Sequence, residues 1–190
     1  MKKRKEIDRI SMGSVDIYLK EFEGNAIADI PSDEELEKPE NLIARTKDGG
    51  TFTYSPNFYT AKSDDGKAKR TELTEESVKI SFGLITWNGS TITQIVPTAQ
   101  ATIKDGERIT EIGGLDNISD KTYIFRAVHK DRVKGDVRYT FLGQNTAGFA
   151  AAYKQGQETV ITPEIDADPF DNGRLLIMRE SGIPTEEVSA

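Results

Sequence analysis

Lys121-Thr-Tyr-Ile-Phe-Arg-Ala-Val-His-Lys130, Asp136-Val-Arg-Tyr-Thr-Phe-Leu-Gly143, Glu158-Thr-Val-Ile-Thr-Pro-Glu-Ile-Asp-Ala-Asp168 and Gly173-Arg-Leu-Leu-Ile-Met-Arg179 are four alternating runs joined by short turn-rich pieces. That pattern predicts an antiparallel meander. The four runs hold no nucleophile–base pair and no metal cluster, and their charges are spread along strand faces. Such a surface suits contact with other protein surfaces better than it suits chemistry.

Upstream, Ser14-Val-Asp-Ile-Tyr-Leu-Lys-Glu-Phe22 alternates Val15, Ile17 and Leu19 against more polar neighbours, which predicts a first strand. Ser32 followed by Glu35 has the spacing of a capping box, but Pro39 limits any helix to about two turns. Thr51 to Tyr59 is rich in strand formers and is broken by Pro56, a residue that belongs on an edge, a bulge or a bend. Ser63 to Glu76 is polar and almost without large apolar residues, so it has little to bury against the entropy of ordering it. It reads as a long mobile loop that orders against a partner. Val78 to Phe82 resumes strand alternation. Ile92, Ile95 and Val96 then fall at helical spacing, with Asn88 or Ser90 as cap and Pro97 just beyond. Trp87 reads as an anchor pinning that helix to a sheet. Ala101-Thr-Ile and Glu107 to Leu115 add short strands ending in a glycine turn.

The expected fold is mainly β: two antiparallel sheets packed as a sandwich or barrel, with one short flanking helix and a long polar loop. The expected organisation is a basic arm over residues 1–12, a single domain over 13–180 and a tail over 181–190. A chain of 190 residues is long enough to bury one ordinary core.

Composition excludes several classes of function. Without cysteine there is neither a disulfide framework nor a thiolate metal site. A formal charge of −7 argues against a duplex-DNA binder, which needs clustered Lys and Arg. The dense basic cluster is Lys2, Lys3, Arg4 and Lys5, and no apolar segment follows it as a secretion signal requires. No apolar run approaches the roughly 20 residues that span a bilayer, so a soluble chain made in the cytoplasm is expected. The Asn-x-Ser matches at Asn88 and Asn117 then carry no meaning for glycosylation.

Candidate sites are few. His129 is the single histidine, on the same strand face as Tyr123, Phe125 and Ala127, and reads as a packed or rim residue. The turn Asp166 to Gly173 departs from a calcium loop at Phe170 and lacks the closing Glu. The glycines at 143 and 148 do not open a helix after a parallel strand, as a phosphate cradle requires. Glu164, Asp166 and Asp168 alternate with Ile165 and Ala167, which places three carboxylates on one strand face about 7 Å apart. That spacing suits an inverting glycosidase pair, a solvated face or an acidic wall along a channel; no catalytic residue, cofactor or metal is assigned.

Gly83-Leu-Ile-Thr-Trp87, the turn Ile112-Gly-Gly-Leu115, Phe125-Arg-Ala-Val-His-Lys-Asp131 running into Gly135-Asp-Val-Arg138, Asn145-Thr-Ala-Gly-Phe149 and Pro163-Glu-Ile-Asp-Ala-Asp-Pro-Phe-Asp171 occur in that order. Together they resemble the major tail tube proteins of tailed bacteriophages, over roughly Met12 to Glu180. The resemblance implies a virion protein without enzymatic activity, assembled in the bacterial cytoplasm as stacked hexameric rings. The same architecture occurs in the tubes of contractile injection systems. Implied partners are further copies of the chain and other tail proteins such as the tape measure and terminator, with DNA passing through the lumen unbound. On this reading Glu164, Asp166 and Asp168 face the lumen, and Lys2, Lys3, Arg4 and Lys5 reach a neighbouring subunit. The loop bearing Asp64, Asp65, Lys67, Lys69, Arg70 and Glu72 lies between rings. The alternative class is a monomeric β-sandwich module that binds carbohydrate or a cell-surface ligand.

Overall fold

In this computed structural model, which describes residues 13–132 and 135–182, the chain runs through β1 (Asp16–Glu21), α1 (Asp33–Leu36), β2 (Leu42–Lys62) and β3 (Lys69–Leu84). It continues through α2 (Gly89–Ile95), β4 (Ala99–Lys104), β5 (Glu107–Ile112), β6 (Tyr123–His129), β7 (Val137–Asn145), β8 (Glu164–Asp168) and β9 (Ile177–Glu180). Seven strands are bonded in the order β6-β1-β2-β3-β8-β7-β9, and β6 also pairs with β7. The sheet therefore closes into an antiparallel barrel of six strands with β9 beside it, while β4 and β5 form a separate two-stranded sheet. The mainly β fold with a large and a small antiparallel sheet is as expected. Closure leaves the barrel strands without the open edges that a flat sheet would expose.

Strand alternation decides which side chains fill the barrel. Ile17, Leu19, Val78, Ile80, Phe82, Leu84, Phe125, Ala127, Phe141 and Ile165 belong to one buried cluster. Phe125 and Phe141 are direct cross-strand partners, and their rings stack with centroids 5.0 Å apart. Helix α2 starts where expected: the Asn88 side chain accepts hydrogen bonds from the Ser90 and Thr91 amides. Its Ile92 and Ile95 join the same core. Trp87 packs against that core and donates its indole N–H to the Thr159 carbonyl at 3.2 Å, the anchoring role expected of it.

The meander is only partly realised. β6, β7 and β8 follow one another, but β9 pairs with the Val137–Thr140 half of β7, on the flank whose other half, Leu142–Asn145, is taken by β8. The stretch expected as one strand from Glu158 is ordered as strand only from Glu164; Ile161 makes an isolated bridge to Leu84. Pro163 limits the earlier part, since it has no N–H to give a ladder. Close approach of β8 also explains Gly143, where a Cβ would lie 2.3 Å from the Asp166 carbonyl oxygen.

A second, smaller core lies outside the barrel wall. Residues of opposite alternation on β6 and β7, Ile124 and Leu142, meet Phe22, Leu36 and Phe170, with Ile27, Ile30 and Ile177 around them. Segment 22–41 thus covers one outer face of the barrel. Its helix α1 is the single short turn that Pro39 allows, and Ser32 Oγ accepts from the Glu35 amide.

The largest departure from expectation concerns residues 63–76. Only Ser63–Ala68 is a turn; Lys69–Glu76 is the first half of β3 and pairs with β2 from Lys62↔Lys69 back through Pro56↔Glu76. The segment read as a long loop is half strand. Low apolar content does not forbid order here, because an antiparallel ladder satisfies the backbone without a core. Pro56 sits within the 21-residue β2, in a part of it paired with β3 alone, so its missing N–H breaks no inner ladder.

Candidate functional site

Two strands of the barrel do not stop at its rim. The rim is marked by Phe52, whose ring stacks on Tyr139 with centroids 4.2 Å apart. Beyond it β2 and β3 continue together as a hairpin arm. From the pair Tyr54↔Val78 to the pair Lys62↔Lys69 the arm rises eight residues, about 26 Å at the usual strand rise.

Local bonds hold the arm together. Thr60 and Thr71, direct partners, bond through their hydroxyls at 3.0 Å, and Tyr54 donates its hydroxyl to Glu76 at 2.9 Å. A bulge leaves Thr74 without an opposite number, and its hydroxyl donates to the Asn57 carbonyl. At the tip, Ser63 Oγ accepts from the Ala68 amide and Asp65 accepts from the Lys67 amide, with Gly66 at φ +69. The charges at Asp64, Asp65, Lys67, Lys69, Arg70 and Glu72 are all exposed. Arg70 pairs with Glu72, and Lys67 lies 3.8 Å from Asp65.

One face of the arm carries the inward face of the barrel out into solvent. Phe52, Tyr54, Pro56 and Phe58 follow one another at every second position of β2, and Leu73 lies opposite Phe58. Ile80 and Val78 on β3 are 0% and 4% exposed, whereas Tyr54, Phe58 and Leu73 are 56%, 57% and 47% exposed. An isolated two-stranded hairpin is marginal in water. Tyr54, Phe58 and Leu73 thus form an exposed apolar stripe on it, the kind of feature that marks interaction surfaces.

β8 does place Glu164, Asp166 and Asp168 on one face, and because Ile165 points into the core that face is the barrel's outside. Lys79 of the neighbouring β3 lies 2.8 Å from Glu164 and 3.4 Å from Asp166. These two carboxylates raise the lysine's pKa, Glu164 most strongly. The row is therefore partly neutralised by a cation that strand pairing supplies and sequence spacing alone did not show.

His129 is 7% exposed at the barrel rim, its Nδ1 3.2 Å from the Ser14 carbonyl and its ring beside Gly13. Lys2, Lys3, Arg4 and Lys5, and the tail beyond Gly182, lie outside the described residues.

Sequence reading missed an ion network under α1. Arg126, 1% exposed between Ile124 and Val128 on the outward face of β6, donates to Thr140 Oγ1 at 2.8 Å, to Asp33 at 2.6 Å and to Glu37 at 3.1 Å. Arg138 donates to both oxygens of Glu37, and Arg179 to Asp33. Burial pushes the Asp33 carboxyl up, but hydrogen bonds and charge from Arg126 and Arg179 outweigh it and hold the carboxyl below its ordinary value. The available signal was an arginine amid an apolar strand, with two acids four residues apart on a short helical turn. The network clamps segment 22–41 to the barrel.

No protein-family model and no curated protein matches the chain.

Proposed function

We propose that this chain is a structural protein that assembles with copies of itself into stacked rings, the tube of a phage tail or of a related injection system. The carrying observation is the arm: about 26 Å of paired strand, with Tyr54, Phe58 and Leu73 exposed on the face that is core in the rest of β2 and β3. A ring requires a head-to-tail contact that closes by rotation, and a tube requires a second contact that does not close. In this reading a rigid barrel supplies the ring wall, and the arm spans the step from one ring to the next. Other tail proteins, such as a tape measure and a terminator, bound the tube at its ends, and DNA passes without specific binding.

The outer face of β3 and β8, with Glu164, Asp166 and Asp168, is assigned to the lumen. A net charge of −7 is in keeping with a conduit that does not retain phosphate, although screening beyond about 8 Å confines the effect to groups at the wall. Lys79 weakens the repulsion there.

Negative-stain microscopy of the purified full chain over a concentration series tests the proposal. Rings or tubes are expected, and a chain that stays monomeric throughout overturns it. Changing Glu164, Asp166 and Asp168 to Lys is expected to leave folding intact and to make tubes that hold DNA at low salt. Tubes that pass DNA like the parent remove the lumen assignment.

A further inference from the structure

On the outside of the barrel, between segment 22–41 and β9, lies a groove of about 520 Å³. Ile27, Ile30 and Ile177 give it apolar walls, and Arg126, Thr140 and Arg179 a polar floor. The pairs Arg126↔Thr140, Thr140↔Ile177 and Arg138↔Arg179 put these floor residues and Ile177 on one outward face of β6, β7 and β9. Arg126 and Arg179 converge on Asp33, and among the described residues Arg179 donates there through Nη2 alone. The groove's own acids do not use the rest of that guanidinium, since Asp33 is shared with Arg126 and Glu34 is exposed and bonded to neither arginine. A guanidinium with spare donors beside an aliphatic wall suits a carboxylate with an aliphatic neighbour.

Strand β9 is bonded to β7 on one side, and among the described residues nothing pairs with its other edge. A free edge is a template for a further strand. The chain itself leaves from there. The Ser181 amide donates to the Asp136 carbonyl at 2.9 Å, which ties the end of β9 to the wall, and Gly182 follows at φ +78, a left-handed conformation that reversing loops use. Next in sequence comes Ile183-Pro-Thr-Glu-Glu-Val188. A four-residue loop over 181–184, a common hairpin length, sets Thr185 opposite Glu180. Glu186 then falls opposite Arg179 and Val188 opposite Ile177, both on the groove's face. Opposite charges and aliphatic pairs are favourable cross-strand partners, and a slip of one residue would turn Val188 to the other face.

We propose that residues 185–188 add to the free edge of β9 in their own chain and wall off the groove, with the Glu186 carboxylate against the guanidinium of Arg179 and Val188 against Ile177. Main-chain bonds to β9 supply the affinity and the two alternate side chains the specificity. The contact extends the clamp of α1 across β9. It is made within one copy, so it is independent of the assembly reading.

The chain has no cysteine, so one introduced pair reports the register without competition. In the full-length chain Met178→Cys/Glu187→Cys sets two thiols at opposite positions on the face away from the groove and leaves Ile177, Arg179, Glu186 and Val188 intact. Thermal melting like the parent's, before oxidation, shows that each variant folds. In dilute protein, oxidised glutathione is expected to close an intramolecular disulfide about ten-fold or more faster than in Met178→Cys/Ala190→Cys, whose second thiol lies farther along the tail. Arg179→Glu added to the first pair is expected to slow closure, and Glu186→Arg with it to restore the rate. Products are read by mass spectrometry and non-reducing gels. Equal rates for the two pairs overturn the strand addition, and closure indifferent to Arg179→Glu overturns the Glu186 contact. Disulfide-linked dimers overturn the assignment to the tail's own chain and place it on a second copy.

Discussion

The two halves of the β2–β3 hairpin are made of the same backbone ladder and meet opposite surroundings. Inside the barrel, Val78 and Ile80 are closed off by five other strands and by α2; outside it, Tyr54, Phe58 and Leu73 continue the same face with nothing over them. Pairing fixes the shape of both halves, but burial stabilises only one. The barrel half is therefore where substitution should cost folding, and the arm half is where it should cost association.

The sharpest contrast comes from two phenylalanines. Phe141→Ala, in a side chain 0% exposed, is expected to lose about 3–5 kcal/mol of stability in urea unfolding. Phe58→Ala is expected to stay within about 0.5 kcal/mol in the monomer. Equal losses at the two sites would erase the distinction between body and arm.

The clamp under α1 comes next. Arg126→Ala is expected to cost about 3 kcal/mol, chiefly because it opens a buried gap under α1, Asp33 and Glu37 keeping Arg179 and Arg138, while Arg126→Met, which refills the space, should cost less. A loss no larger than that of a surface change would show that segment 22–41 is held by its apolar contacts alone.

The same clamp sets an acid dependence. The folded Asp33 carboxyl titrates below its unfolded value, so its contribution is complete above the unfolded value, about 3.9, and is lost as pH falls through the folded one. Urea midpoints followed downward from pH 5 should fall in that window for the parent and less steeply for Arg126→Met. Parallel curves would remove the ion network as the cause.

The smallest expected effect on stability comes from the largest excision. Replacing residues 57–75 with Asn-Gly, between the paired Pro56 and Glu76, supplies a favoured two-residue turn. Thermal unfolding should leave the barrel within about 0.5 kcal/mol of the parent, consistent with surface changes, while stacking in the microscope disappears. A strongly destabilised barrel would mean that the arm is part of the body's fold.

Much of the architecture is legible in the residues because strand periodicity reports burial. Ile17 and Leu19, Phe125 and Ala127, and the Asn88-capped helix all behave as their spacing indicates. Residues 63–76 depart from expectation because pairing needs only backbone partners, so a segment of low apolar content can still be strand. Arg126 escaped because its partners, Asp33 and Glu37, lie about 90 residues away in sequence, beyond any local window. Lys79 escaped likewise: that it sits against Glu164 and Asp166 follows from the register of β3 on β8, which the sequence of either strand alone does not specify.

The path by which the arm enters the barrel has a mechanical consequence. Each of its two strands runs on into the wall, where β2 is flanked by β1 and β3 by β8. A pull on the tip travels lengthwise along both, so the ladders to β1 and β8 are loaded in shear, with their bonds resisting together instead of opening one after another. The phenyl–phenol stack of Phe52 on Tyr139 sits where that load enters. A filament joined through such arms would give way at the contacts between copies before an arm was drawn out of its barrel.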